Sequence, residues 1–323
     1  NWTPITNFSG TFDGTGHTVS GLYYVSAEEG YVGLFGIIKE GAVVKNVTVS
    51  GYLRNGGTIG GVVGAASAST IENCKNLAFV QSTEKFAGGI AGYSNSSTID
   101  RCCNFGTVID TAGGYAKVGG ICAGTSMATT ITNCLNAGEI TSIARGGGII
   151  GSVDAENTKL SNSFNYGLVV SLGNTRNTDP ICGYITQGSV CSISNTYSLT
   201  QSKNVNVDVL TKEEFADGTL LANLSKNNAG VWTSGSEFPV LVTPMYSKYE
   251  GGSRVPEPEP ISLLENNLWK YSISSKYNLF NLPSLGENWK YDETDLVYTT
   301  EDWSSFMEGS IDSKKFIPKL SYN

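Results

Sequence analysis

A glycine-bounded phrase returns along the first half of this chain and limits its fold more than any other feature. It reads Val32-Gly33-Leu34-Phe35-Gly36, Gly60-Gly61-Val62-Val63-Gly64, Gly88-Gly89-Ile90-Ala91-Gly92, a stretched Gly119-Gly120-Ile121-Cys122-Ala123-Gly124, and Gly147-Gly148-Ile149-Ile150-Gly151. The closing glycines Gly36, Gly64, Gly92, Gly124 and Gly151 lie 28, 28, 32 and 27 positions apart, so one structural unit occupies each period. A second phrase keeps the same beat: Val44-Lys45-Asn46-Val47, Ile71-Glu72-Asn73-Cys74, Ile99-Asp100-Arg101-Cys102, Ile131-Thr132-Asn133-Cys134, Leu160-Ser161-Asn162-Ser163 and Ile193-Ser194-Asn195-Thr196. A third follows in the middle units, as Asn104-Phe105-Gly106, Asn136-Ala137-Gly138 and Asn165-Tyr166-Gly167.

Units this short, rich in glycine and β-branched residues and without a 3.6-residue apolar stripe, do not form helix pairs. They are also too short for propeller blades, which need about 40 or more residues each. The reading is all-β: a right-handed parallel β-helix, or solenoid, of about 28-residue coils with about three short strands per coil. Equivalent strands then stack about 4.8 Å apart. Six matching positions from Val44 to Ile193 imply about six coils and a core rod about 25 to 30 Å long. Ile71, Ile99 and Ile131 form an inward column, glycines occupy crowded corners, and recurrent asparagines form a ladder in which each amide bonds the next.

The opening Trp2-Thr3-Pro4-Ile5, then Phe8-Ser9-Gly10-Thr11-Phe12-Asp13-Gly14, Gly16-His17-Thr18-Val19 and Gly21-Leu22, leads into the first glycine phrase. Together they resemble the start of a GLUG-repeat domain. The resemblance covers roughly residues 1 to 200 and extends to Asn223-Leu224, Trp232 and Phe238-Pro239-Val240-Leu241, which are similar to the segment that closes such repeats. It implies a bacterial extracellular or surface protein, of a family in which some members carry the repeats beside the catalytic part of IgA-cleaving zinc metallopeptidases. The chain opens at Asn1 without a positive and apolar leader, which we read as a processed or trimmed form, so the expected location outside the cell rests on the resemblance.

Composition narrows the partners. Lys and Arg number 21 against 29 Asp and Glu, for a net charge of −8, and no run of basic residues offers a face for phosphates, so nucleic acid is not expected. No apolar run reaches the roughly 18 to 20 residues of a membrane span. Seven cysteines are an odd number and far too sparse for a disulfide-stapled scaffold. Cys74, Cys102 and Cys134 share the column of Val47, Ser163 and Thr196, as small inward side chains; adjacent rungs also lie close enough for one disulfide. A linear column does not converge as a tetrahedral metal site must.

Chemistry-bearing residues are thin. The single histidine, His17, excludes a His-Glu-x-x-His zinc site and, standing alone, leaves serine or cysteine triads without a base. It is expected to serve a turn. Asn177-Thr178-Asp179 resembles the start of a polygalacturonase motif but lacks its companions, and at about five coils from His17 it lies more than about 20 Å away. Asp179 is read as a turn residue ahead of Pro180. Asp13, Asp100, Asp110 and Asp154 are read as solvated loop acids at different phases of the repeat. Neither a catalytic residue, a metal ligand nor a cofactor is assigned, and calcium bound by loop oxygens stays open.

Four regions follow: a solenoid over 1–200, a cap over 201–250, a Gly/Pro-rich linker over 251–260, and a small aromatic-rich β module over 261–323. Thr211-Lys212-Glu213-Glu214 is a capping box that opens a short helix to about Lys226, setting Phe215, Leu220 and Leu224 against the end of the rod. The last 63 residues fold as a small β unit, pack along the rod, or dock on a neighbour by strand addition. The function expected is non-catalytic adhesion or binding of a glycan or surface protein through loops such as 94–98, 110–117 and 173–180. The competing reading is a polysaccharide-acting hydrolase or lyase, or an accessory part of one. Acids and aromatics converging in one groove favour the enzyme; a flat Asn, Ser and Thr surface favours the adhesin.

Overall fold

The computed structural model describes residues 2–154, 157–173, 177–226 and 228–242, together with the backbone of short strands at 248–250, 253–255, 289–291 and 320–322. The chain divides into a unit spanning residues 1–257 and another spanning 258–323. The first is a β-solenoid of about six turns, with the strand pairings between coils parallel and, apart from a bulge between Val19 and Leu22, in register. A bent seventeen-stranded sheet runs along one side. Two six-stranded sheets complete the wall, one from Tyr31–Val32 to Thr178–Asp179 and the other from Phe35–Ile38 to Cys182–Ile185. We call these the first and second narrow sheets.

A single coil shows the design. Thr70–Glu72, Lys75–Asn76 and Phe79–Ser82 belong to the wide sheet, Phe86–Gly88 to the first narrow sheet and Ala91–Asn95 to the second. That is five strands where the sequence suggested about three. One added break lies at the recurrent asparagine of the second phrase, where Asn46, Asn73 and Asn133 have φ between +48° and +60°, and a second falls between Asn76 and Phe79; Asn162 and Asn195 share the left-handed backbone at φ 48° and 47° but stay within the strands Thr158–Asn165 and Cys191–Ser198. Arg101 adopts the same left-handed backbone at φ 52°.

The core is the expected set of columns. Val44, Ile71, Ile99, Ile131 and Leu160 stack in register and are fully buried. Beside them lie Val47, Cys74, Cys102, Cys134, Ser163 and Thr196, all buried. The seven cysteines are free thiols, so the disulfide that the spacing allowed is not formed. Instead Cys74, Cys102 and Cys134 each place Sγ near the carbonyl of Glu72, Asp100 or Thr132 two residues back, at 3.1–3.3 Å.

Two asparagine ladders tie the coils together. At the left-handed corner, Asn73 donates to Asn46 at 2.9 Å, Asn46 to Asp13 at 2.8 Å and Asn195 to Asn162 at 2.6 Å. Where Arg101 interrupts the series, Asp100 accepts from Asn133 at 2.7 Å. The second ladder is internal: Asn76, Asn104, Asn136 and Asn165 pass amide hydrogen bonds of 2.8, 2.7 and 2.8 Å up the rod. Each also donates to the carbonyl two residues ahead, so Asn76, Asn104 and Asn136 use both amide hydrogens. This ladder explains the glycine phrase. A Cβ on Gly61, Gly89, Gly120 or Gly148 would stand 2.3 to 2.4 Å from a ladder side chain, so only glycine lets the opposite wall approach it.

The cap corrects one expectation in detail. The capping box at Thr211 and Glu214 is present, but Gly218, at φ +97°, splits the segment into α1 (Lys212–Ala216) and α2 (Thr219–Ser225). Phe215, Leu220 and Leu224 are buried as expected, yet Phe215 meets Phe164 at 5.6 Å and Tyr166 at 5.5 Å. Phe164 alternates with the inward Ser163 and Asn165, so it points out of the rod, and the helices cover the flank of the wide sheet. Trp232 and Phe238 join Phe164 there, at 5.4 and 5.8 Å. The rod's end is closed by residues 202–209: Asp208–Val209 pairs with Tyr197–Ser198, and Asn204 donates to Cys182 and Gly183 carbonyls at 2.8 and 2.7 Å.

Lys248–Glu250 pairs antiparallel with Ser253–Val255, the second of which lies where the sequence suggested the start of a linker. In the second unit Trp289–Tyr291 pairs antiparallel with Leu320–Tyr322. The remaining residues of the linker and of the aromatic-rich module lie outside the described residues, and so does the choice among the three arrangements considered for that module.

Candidate functional site

The acids singled out in the sequence do not meet. Asp13 and Asp100 correct one expectation, because they share a phase: the register runs Asp13, Lys45, Glu72, Asp100 over successive rungs. The rungs of Lys45 and Glu72 still lie between them, and each of the two acids is already paired. Asp13 pairs with Lys45 at 3.4 Å and accepts from Asn46, whose hydrogen bond is the chief cause holding its carboxyl below the usual range. Asp100 pairs with Arg101 at 3.2 Å. Asp110, expected to be solvated, is fully buried inside the rod. Asp179 is also buried. It accepts from the amides of Ile181 and Lys203 at 2.9 and 2.6 Å and from Ser202 Oγ at 2.8 Å, fastening the closing segment to the last coil. His17 is exposed, with Nδ1 2.9 Å from Thr15 Oγ1 and 3.0 Å from the Gly14 carbonyl, in the turn role expected of it.

A different set of side chains comes together on the outside of the two narrow sheets. In the first, the register aligns Tyr31, Thr58, Phe86, Lys117 and Arg145 in one column. Each alternates with an inward neighbour, namely Val32, Ile59, Ala87, Val118 and Gly146, so the column faces outward. In the second, Tyr93, Gly124, Ser152 and Tyr184 are likewise aligned. The two outer faces bend toward each other, since a Cβ on Gly124 would stand 3.2 Å from Lys117 Cδ. Large side chains of one column therefore lie across the small residues of the other.

Aromatic rings and cations interlock there. Phe86 stacks on Tyr93 at 5.9 Å, and Lys117 Nζ lies 4.4 Å from the Phe86 ring centre. The Arg145 guanidinium lies 4.1 Å from the Tyr184 ring and 5.3 Å from that of Tyr115, which extends from the 110–117 loop and is 80% exposed. Among the described residues Arg145 has no carboxylate partner. Lys117 does, because it pairs with Asp154. Burial pushes Asp154 up, but hydrogen bonds from Lys117, Thr186 and Ser152 and the Lys117 charge outweigh it and hold the carboxyl below its usual range.

That carboxylate is unsuited to acid/base work. It stays ionised, its oxygens are taken by three donors, and among the described residues no second carboxylate stands with it as glycoside hydrolysis requires. The face thus matches neither alternative set out from sequence. It is not a flat Asn, Ser and Thr surface, and it does not gather acids. The sequence reading passed over Phe86 and Arg145 and reached Lys117 only as the end of the 110–117 loop, although each stands two positions before a repeated glycine pair. That position is the outward step of a strand that alternates into the corner.

No protein-family model and no curated protein matches the chain. Among solved structures, the crystal structure of a "putative immunoglobulin A1 protease" from Bacteroides ovatus is similar at 17% identity. It has a TM-score of 0.36, over 73% of this chain and 74% of that chain. A likeness at that level assigns no activity here. No helix among the described residues is long and apolar enough to cross a membrane.

Proposed function

We propose that this chain is a non-catalytic binding protein of the bacterial cell surface, of the GLUG-repeat type, and that it recognises a glycan or protein through the outer face of its two narrow sheets. The observation that carries the reading is the Arg145 guanidinium held over Tyr184 and beside Tyr115 with no carboxylate partner among the described residues. Rigid aromatic planes bury apolar surface at little entropic cost, and an unpaired guanidinium between them offers directed donors to a ligand oxygen. A parallel sheet supports Arg145 and Tyr184, so their spacing is set by the rungs, while Tyr115 joins them from the 110–117 loop. The extracellular location rests on the sequence resemblance.

The test is a glycan and surface-protein array on which retained protein and released product are both scored. The proposal expects retention without product, and at least about a tenfold weaker response from Arg145→Ala. Product formed by the unmodified chain and abolished by Asp154→Asn would replace it with the polysaccharide-acting enzyme.

A further inference from the structure

The two cations of the outward column differ in kind. Lys117 is buried and paired with Asp154, whose oxygens are also held by Ser152 and Thr186 at 2.8 and 2.7 Å, so that charge is neutralised within the protein. Arg145, one rung on, is half-buried, and its side chain has neither a carboxylate nor another hydrogen-bond acceptor among the described residues. In a chain with 29 acids against 21 bases, a guanidinium left without an acid is a matter of placement and not of supply. What surrounds it is aromatic: Tyr184 at 4.1 Å and Tyr115 at 5.3 Å. A guanidinium lying over a ring spends its face on the contact and keeps its in-plane N–H donors directed past the ring edge.

Resting on the binding reading above, we propose that the ligand of this face is an acidic glycan, and that Arg145 receives the carboxylate of a uronic-acid type sugar while Tyr115 meets the sugar ring. A planar carboxylate matches two parallel N–H donors of one guanidinium, and one carboxylate balances the one charge that the face leaves open. Tyr115 is 80% exposed, so a face of its ring is open to the flat C–H side of a pyranose. An extended peptide carrying acidic side chains fits less well, because it would take its affinity from main-chain bonds to a strand edge. None is open at this place: Arg145–Gly147 is paired with Lys117–Gly119 and Thr178–Asp179, and Ile150–Val153 with Cys122–Ser126 and Cys182–Ile185. Along the rod the face continues to Phe86, two rungs or about 9.6 Å from Arg145, where that ring stacks on Tyr93. A polymer laid along the rod thus meets rings at Phe86 and Tyr93, the neutral Lys117–Asp154 pair, and then the open guanidinium.

The test compares binding of the whole chain to polygalacturonate and hyaluronate, each as the native carboxylate and after reduction of its carboxyl groups to alcohols, with amylose, dextran sulfate and polyglutamate alongside. The unmodified chain is expected to bind at least one native polyuronate at least about tenfold more tightly than its reduced form, and more tightly than the other three probes. Arg145→Gln is expected to bind the native and reduced forms alike, and Arg145→Lys, which keeps the charge and loses the paired donors, to fall between Arg145→Gln and the unmodified chain. The comparison of native with reduced polymer needs no variant, so it stands even if a substitution disturbs the fold. Equal binding of native and reduced polymer by the unmodified chain, weakened in both by Arg145→Gln, would overturn the carboxylate assignment and leave the face a glycan binder. Dextran sulfate bound as tightly as the polyuronates would also overturn it, and preference for polyglutamate would give the face to an acidic protein. Binding of none of these probes, nor of any member of the glycan and protein array, would overturn both this assignment and the reading of the face on which it rests.

Discussion

At the residue scale, the internal asparagines carry a disproportionate share of the rod's specificity. Asn104 accepts from Asn76 and donates both to Asn136 and to the Gly106 carbonyl, all in a fully buried setting. Asn104→Ala removes those bonds and strands an Asn76 hydrogen and an Asn136 oxygen in the core. It should therefore cost about 2 to 4 kcal/mol in urea unfolding, well beyond a neutral side-chain truncation. The cysteines should be silent. Burial raises Cys103, Cys122 and Cys191 to about 12 and Cys74, Cys102 and Cys182 well above the usual thiol range. Iodoacetamide near neutral pH should then leave the native chain unlabelled by mass spectrometry while modifying every thiol once urea is added. Asp110 sets a pH dependence of definite sign. Its folded value is raised to about 7 against an unfolded value near 3.9, so between these limits the folded chain binds the extra proton. Its contribution to stability should fall as pH climbs from about 4 to about 7 and stay low above, and Asp110→Asn should flatten that slope in thermal melts across that range.

At the scale of elements, what the sequence disclosed and what it hid divide by the kind of constraint. Coil period, the inward Ile71, Ile99 and Ile131 column and the corner asparagines were legible because a stacked strand repeats its neighbour's environment every rung. The number of strands per coil was not, because a single left-handed residue such as Asn73 divides a run without changing its composition. The position of α1 and α2 was hidden for a related reason. Nothing in their residue type marks Phe164 and Leu135 as outward, and only strict alternation with Ser163, Cys134 and Asn136 shows them to face outward and to need cover. Phe215→Ala should loosen that cover, at about 3 to 5 kcal/mol by its buried ring. Limited proteolysis should then cut near residues 211–226 while the β-sheet circular dichroism of the rod persists; loss of both together would show that the flank and the coils unfold as one.

For the whole molecule, the proposed binding function belongs to one side of the rod. The internal ladders fix the spacing of strands, and the spacing fixes where Phe86, Tyr93, Lys117, Arg145 and Tyr184 stand on the outside. Those residues carried no repeat signature of their own, since the outward position varies from coil to coil as Tyr31, Thr58, Phe86, Lys117 and Arg145. A repeat scaffold separates the two roles in this way: invariance inside, variation outside. The wide sheet offers an internal control, for Tyr23 and Tyr52 stack at 6.1 Å on its outer surface, remote in register from the narrow sheets. The most direct measurement is therefore the affinity of one array-identified ligand for three proteins: the unmodified chain, Tyr184→Ala and Tyr23→Ala. The account predicts at least about a tenfold loss for Tyr184→Ala and less than about a twofold change for Tyr23→Ala. Equal affinity of Tyr184→Ala and the unmodified chain, or a loss confined to Tyr23→Ala, would contradict it.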